Sequence, residues 1–202
     1  MKTTLPSMMV LCLAITFNSC TISKNATESS IAADDDPKKV SVCYVQMNDG
    51  TVKNYTSLKL VTGVFKTPHL VADGNIIIKA ESIKAYQDKD HYAISQRDFS
   101  TDEKSYVAKE TLPGFAVRVA SGKLNVYAVK YYNGHNTSEK LYLQLGNEGA
   151  ILPYKYELMN DLVKNNAEAY KFFNAKKHSS NVSEKIVVTA SIYNNAGLFS
   201  KN

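Results

Sequence analysis

The stretch that decides the fold is Gly114–Phe173, GFAVRVASGKLNVYAVKYYNGHNTSEKLYLQLGNEGAILPYKYELMNDLVKNNAEAYKFF. Its first half alternates with a period of two. Phe115, Val117 and Val119 share one face, and Leu141, Leu143 and Leu145 alternate with Tyr142 and Gln144, as half-buried strands require. Between them LNVYAVKYY (124–132) is apolar on both faces, which predicts a central, doubly covered strand. After Pro153 the period changes. Leu158 with Leu162, and Met159 with Val163, stand four apart and form one helical stripe. Asn165-Asn166 interrupts that helix, and Asn166 is placed to cap a second one, AEAYKFF.

Working toward the N-terminus, VSVCYVQ (40–46) alternates Val40, Val42, Tyr44 and Gln46 with Ser41, Cys43 and Val45. Asn48-Asp49-Gly50 predicts a turn, so Val40–Val61 reads as one hairpin. Asp73-Gly74 predicts a second hairpin, and QDKD (87–90) joins Ile83–Tyr86 to Tyr92–Ile94 in a third. Phe99–Leu112 carries a polar, turn-like middle and fits neither template. Toward the C-terminus, Asn181 or Ser183 caps a last helix with Ile186, Ala190 and Tyr193 on one side and Val187 nearby, and the tail 194–202 is expected to fray. Strands first and helices last predict an α+β domain, mainly antiparallel sheet followed by short C-terminal helices.

The chain has 202 residues and a net charge of +5, with its lysines scattered. Lys176-Lys177-His178 is the densest basic cluster and reads as a solvated helix end, so nucleic acid is not an expected partner. Residues 1–19 read as a targeting leader, with Lys2 as its positive start and MMVLCLAITF (8–17) as its apolar run. That run is too short to span a bilayer. Residues 20–39 contain no aromatic side chain and read as a flexible tether, reaching about 22–26 Å. Residues 40–202 then form a single globular domain. Of three cysteines, Cys12 lies in the leader, Cys20 ends it, and Cys43 sits alone in an apolar alternation as an inert thiol.

The order of basic start, apolar run, small residue and Cys resembles a bacterial lipoprotein signal with its lipobox. Ser19 matches the small residue and Cys20 the lipid acceptor, while Phe17 and Asn18 depart from the commonest residues in the looser manner of Bacteroidota lipoproteins. The resemblance implies a thioether-linked diacylglycerol on Cys20, cleavage before it, and a membrane partner through the anchor. Thr21 after the Cys implies the outer membrane, with the periplasmic face favoured. The segment from GKLNVY through LYLQLGNEG, LPY and the short helices also resembles a C-terminal module of uncharacterised secreted proteins of Bacteroidota, which implies compartment but no mechanism.

Catalytic signatures are missing from the sequence. It contains no Gly-x-Ser-x-Gly, phosphate loop, dinucleotide fingerprint or His-Glu-x-x-His. No catalytic residue, metal site or cofactor is expected. His91 beside Asp88 and Asp90 reads as a solvated hairpin tip, His69, His135 and His178 stand alone, and Asp34–Asp36 in a floppy segment would hold a cation weakly. The unusual count is 13 Tyr and no Trp. Tyr127, Tyr131, Tyr132 and Tyr142 are the candidate ligand surface, since Tyr is rigid and amphipathic. Rings covering a sheet are the competing reading. The expected role is a lipid-anchored envelope protein acting as a non-enzymatic binding, scaffold or stress-accessory module. The alternatives are a glycan- or peptide-binding module using Tyr, and then a hydrolase with a scattered site.

Overall fold

The computed structural model describes residues 43–63, 66–100, 111–132, 137–175 and 181–196. The leader, the tether, the polar middle of 99–112, the Lys176–His178 cluster, His135 and the tail beyond Ala196 lie outside the described residues. Contacts divide the chain after Pro37, and everything below concerns the unit Lys38–Asn202.

That unit is α+β. Eleven strands are described: β1 Cys43–Met47, β2 Val52–Tyr55, β3 Leu58–Gly63, β4 Lys66–Ala72, β5 Ile76–Lys79, β6 Ile83–Gln87, β7 Tyr92–Ser95, β8 Phe115–Ala120, β9 Leu124–Tyr132, β10 Thr137–Leu145 and β11 Leu152–Pro153. Three helices follow: α1 Tyr156–Val163, α2 Ala167–Asn174 and α3 Val182–Asn195. Eight strands make one sheet in the order β11-β10-β9-β8-β7-β6-β1-β2, and β3-β4-β5 make a second. Every pairing is antiparallel.

The large sheet has two unlike faces. Cross-strand partners point the same way, so the pairs Val45–Tyr86, Tyr86–Ala93, Ala93–Val117, Val117–Ala128 and Ala128–Leu141 define one face. This face is apolar, and two layers cover it. Leu58, Leu70, Ala72 and Ile78 of the small sheet pack with Cys43, Val45, Ile83, Tyr86 and Phe115. Met159, Val163, Ala169, Phe173, Ile186 and Ala190 of the helices pack with Leu124, Val126 and Leu143. Each large side chain so buried contributes about 1.5–3 kcal/mol of transfer free energy.

Turn chemistry sets the registers. Asp73 and Gly74 both have positive φ (49° and 81°), and Asn75 N–H donates to Ala72 O at 3.2 Å, so a tight turn joins β4 to β5 and Ala72 pairs with Ile76 across it. At Asn48-Asp49-Gly50 only Gly50 is left-handed (φ 88°), giving a loop of the bulged type.

Four expectations need correction. The run 51–61 is not one strand. It breaks at Thr56-Ser57, where the Asp73 carboxylate accepts from Thr56 N (2.9 Å), Thr56 Oγ1 (2.6 Å) and Ser57 N (3.0 Å). Those bonds hold the Asp73 carboxyl below the usual carboxylate range, the Thr56 hydroxyl foremost, and they turn the chain into the second sheet. Val119 does not join Phe115 and Val117. The β8–β9 register shifts between Arg118 and Ala120, and the bulge turns Val119 out to 38% exposure. β10 is not half-buried, because Tyr142, Leu143 and Gln144 are all buried while Leu145 is exposed. Asn194 is not frayed. Its Oδ1 accepts from Leu124 N (2.8 Å) and its Nδ2 donates to Leu124 O (2.9 Å) and Ser121 O (3.1 Å), tying α3 to the β8–β9 turn.

The other helix expectations agree with the structure. Met159 and Val163 are fully buried, Asn166 Oδ1 accepts from Ala169 N at 3.0 Å, and Asn181 Oδ1 accepts from Ser183 N at 3.1 Å. β9 lies centrally, with residues 124–129 buried.

Candidate functional site

The second face of the large sheet carries a different row. Asn54 pairs with Tyr44, Tyr44 with Gln87, and Gln87 with Tyr92. Continuing the β7–β8 register one step past Ala93–Val117 sets Tyr92 opposite Arg118. Arg118 pairs with Tyr127, and Tyr127 with Tyr142. One line of side chains therefore crosses the sheet from β2 to β10, alternating amide, phenol and guanidinium groups. With strands about 4.8 Å apart, Tyr44 to Arg118 spans roughly 14 Å. Arg118 is the one formal charge in this row.

Contacts fix the row's geometry. The Arg118 guanidinium carbon sits 4.1 Å from the Tyr92 ring centroid, a cation–π arrangement, and the Tyr92 and Tyr127 centroids are 6.5 Å apart. Arg118 also acts on the Tyr127 hydroxyl, lowering its pKa against the effect of burial. That hydroxyl donates in turn to Gln144 Oε1 at 2.7 Å. Gln144 is itself clamped, its Nε2 donating to Asn147 O (3.0 Å) and Gly149 O (2.8 Å). Beside it Asn125 Nδ2 donates to Gly146 O at 2.9 Å, and Asn125 Oδ1 accepts from Gly122 N at 3.1 Å. The 145–150 turn thus holds Gln144, Gln144 holds Tyr127, and the Tyr92 ring meets Arg118. Among the described residues no carboxylate pairs with Arg118.

Burial raises the phenol pKa values. Tyr92 is pushed up to about 12, by desolvation first and then by the neighbouring Tyr127 and Tyr44, against the lowering pull of Arg118. Tyr44 and Tyr127 are raised by burial too, again opposed by Arg118. All three are therefore neutral hydroxyls at physiological pH, able to donate and to accept.

The four candidate tyrosines separate. Tyr127 and Tyr142 are 2% and 3% exposed, a cross-strand pair within an apolar cluster that includes Ala116 and Val129, so they cover the sheet instead of presenting a surface. Phe99 meets Tyr142 edge-on at 5.0 Å, and the Tyr142 hydroxyl donates to Ser100 Oγ at 3.1 Å. Tyr131 is half-buried and has the same strand parity as Tyr127, while the side chain of Tyr132 lies outside the described residues. The half-exposed members of the row are Tyr44, Gln87, Tyr92 and Arg118, which the sequence reading did not select. The sequence groups Tyr44 with Gln46 on one strand face, but only the pairing register reveals that it aligns with Tyr92 and Arg118.

Other candidates are less organised. Ligand atoms of Asp88, Asp90 and His91 lie within 4.8 Å of one another. Asp88 Oδ1, however, accepts from Asp90 N (2.8 Å) and His91 N (2.6 Å), closing its own turn. His69 Nδ1 lies 2.8 Å from Thr67 O. Neither described histidine hydrogen-bonds a hydroxyl or thiol side chain. Cys43 is buried at 1% exposure. A hollow between α2 and α3, lined by Glu168, Val188, Ser191, Ile192, Asn195 and Ala196, brings no clustered charges together. No family profile, curated protein or solved structure matches the chain.

Proposed function

We propose that this chain is a lipid-tethered envelope protein whose folded unit is a binding or scaffolding module rather than a catalyst, placed at the outer membrane with its periplasmic face favoured. The leader and Cys20 motivate the tether. The observation that carries the binding role is the Tyr44–Gln87–Tyr92–Arg118 row, a braced and half-exposed polar line on the face that neither the small sheet nor the helices cover. Recognition favours Tyr and Arg held rigidly. Among the described residues no helix is long and apolar enough to cross a membrane. Hydroxyl-radical footprinting of the purified full-length mature chain, with and without an envelope fraction, tests the reading. Peptides containing Tyr44 and Tyr92 should be protected while the peptide containing exposed Ile77 is not. Equal oxidation of all three in both samples would contradict it.

A further inference from the structure

We infer that the Tyr–Arg row binds a hydroxyl-rich monocarboxylate repeat, an oligosaccharide carrying uronic acid, with its carboxylate on Arg118 and a sugar ring over Tyr44. The inference rests on the binding role proposed above and names the ligand class for that same row. Three features of the row select this chemistry.

The charge is single and planar. Arg118 alone supplies it, and a guanidinium fork matches one carboxylate bidentately. A phosphate, with more charge to neutralise, calls for more cations than the row contains. Tyr92 occupies one face of the guanidinium, yet a guanidinium also has five N–H donors in its plane. No described carboxylate meets the remaining donors. Next, the rest of the line is neutral and doubly competent. Gln87 and the phenols of Tyr44 and Tyr92 each donate and accept, as a ligand dense in hydroxyl groups requires. Finally, the line runs across paired strands. The strands under Tyr44, Gln87, Tyr92 and Arg118 have hydrogen-bonded neighbours on both sides, so no free edge is offered for an added peptide strand. An extended chain lying flat over half-exposed rings suits the roughly 14 Å line better than a peptide does.

Calorimetric titration of the full mature chain with a short oligogalacturonate, the matching neutral galactose oligomer and an Asp/Glu-rich peptide tests the inference. The acidic oligomer should bind, with the neutral oligomer weaker by about 10–100-fold, as expected for losing hydrogen bonds to a charged group. Arg118→Gln should lose the difference between the two oligomers. Arg118→Lys, which keeps the charge and removes the fork, should retain only part of it. Equal affinity of the wild type for both oligomers, no binding of either, or tighter binding of the peptide would each overturn the inference. The wild-type comparison needs no variant to fold. Footprint protection of Tyr44 and Tyr92 by the envelope fraction, persisting without uronate binding, would leave the binding role standing and remove only the ligand class.

Discussion

Tyr92 is the residue on which the polar row turns. Its ring lies under the Arg118 guanidinium, and its hydroxyl is desolvated enough to hold its proton to about pH 12. The consequence for stability has a definite sign. An unfolded tyrosine ionises near 10. Between that value and the folded one the unfolded chain loses a proton that the native state keeps, so the contribution is complete below the unfolded pKa and is lost as pH rises toward 12. About 1 kcal/mol should disappear between pH 9 and pH 11 on this account. Tyr92→Phe keeps the ring and the cation–π contact, so its urea midpoint should fall less over that range than the wild type's. Parallel alkaline losses for the two proteins would show that the phenol is not held as described. Little of this was legible beforehand. The sequence marks Tyr92 as a strand residue, but its partners are 26 and 35 positions away in Arg118 and Tyr127, and only the strand register brings them together. The tyrosines that dense local patterning did pick out, Tyr127 and Tyr142, are dense there because that part of the sheet is covered on both faces.

At the scale of elements, local chemistry was readable wherever one residue satisfies its own neighbourhood. Asn166 and Asn181 cap the helices they precede, and Asp73-Gly74 makes the tight hairpin that its φ requirement predicts. What escaped the sequence was side-chain bonding to distant backbone. Asp73 reaches back to Thr56-Ser57 and splits an apparently continuous strand, and the bulge at Val119 leaves no compositional trace. Asn194 belongs with these. A terminal Asn reads as the end of a fraying helix, yet it makes three bonds to the 121–124 turn. Gly122 permits this approach. At φ 152° it takes a conformation that L side chains rarely adopt, and a Cβ there would stand 2.5 Å from Asn194 Cγ. Asn194→Ala should therefore cost about 1–3 kcal/mol, measured by urea unfolding, because it strands the Leu124 N–H and carbonyl where the helix packs. Hydrogen exchange should show α3 opening more readily while β1 and β6 are unaffected. A change within a few tenths of a kcal/mol would mean that apolar packing alone docks the helix.

Across the whole molecule, one sheet face carries both covering layers and the other carries the polar line. The α+β order of strands then helices was plain in the sequence, because the hydrophobic period changes once, after Pro153. The excursion of β3-β4-β5 into a separate sheet was not, since those strands alternate like their neighbours and only long-range packing against Val45, Ile83 and Tyr86 assigns them a layer. This asymmetry suits the proposed module, held at a surface and reading a ligand with the face that carries the polar line, and the tether is the part of that account most open to direct test. Cells grown with labelled palmitate should incorporate label into the wild type and into Cys12→Ala, whose cysteine lies within the proposed leader, but not into Cys20→Ala. Label retained at the wild-type level by Cys20→Ala would contradict the account.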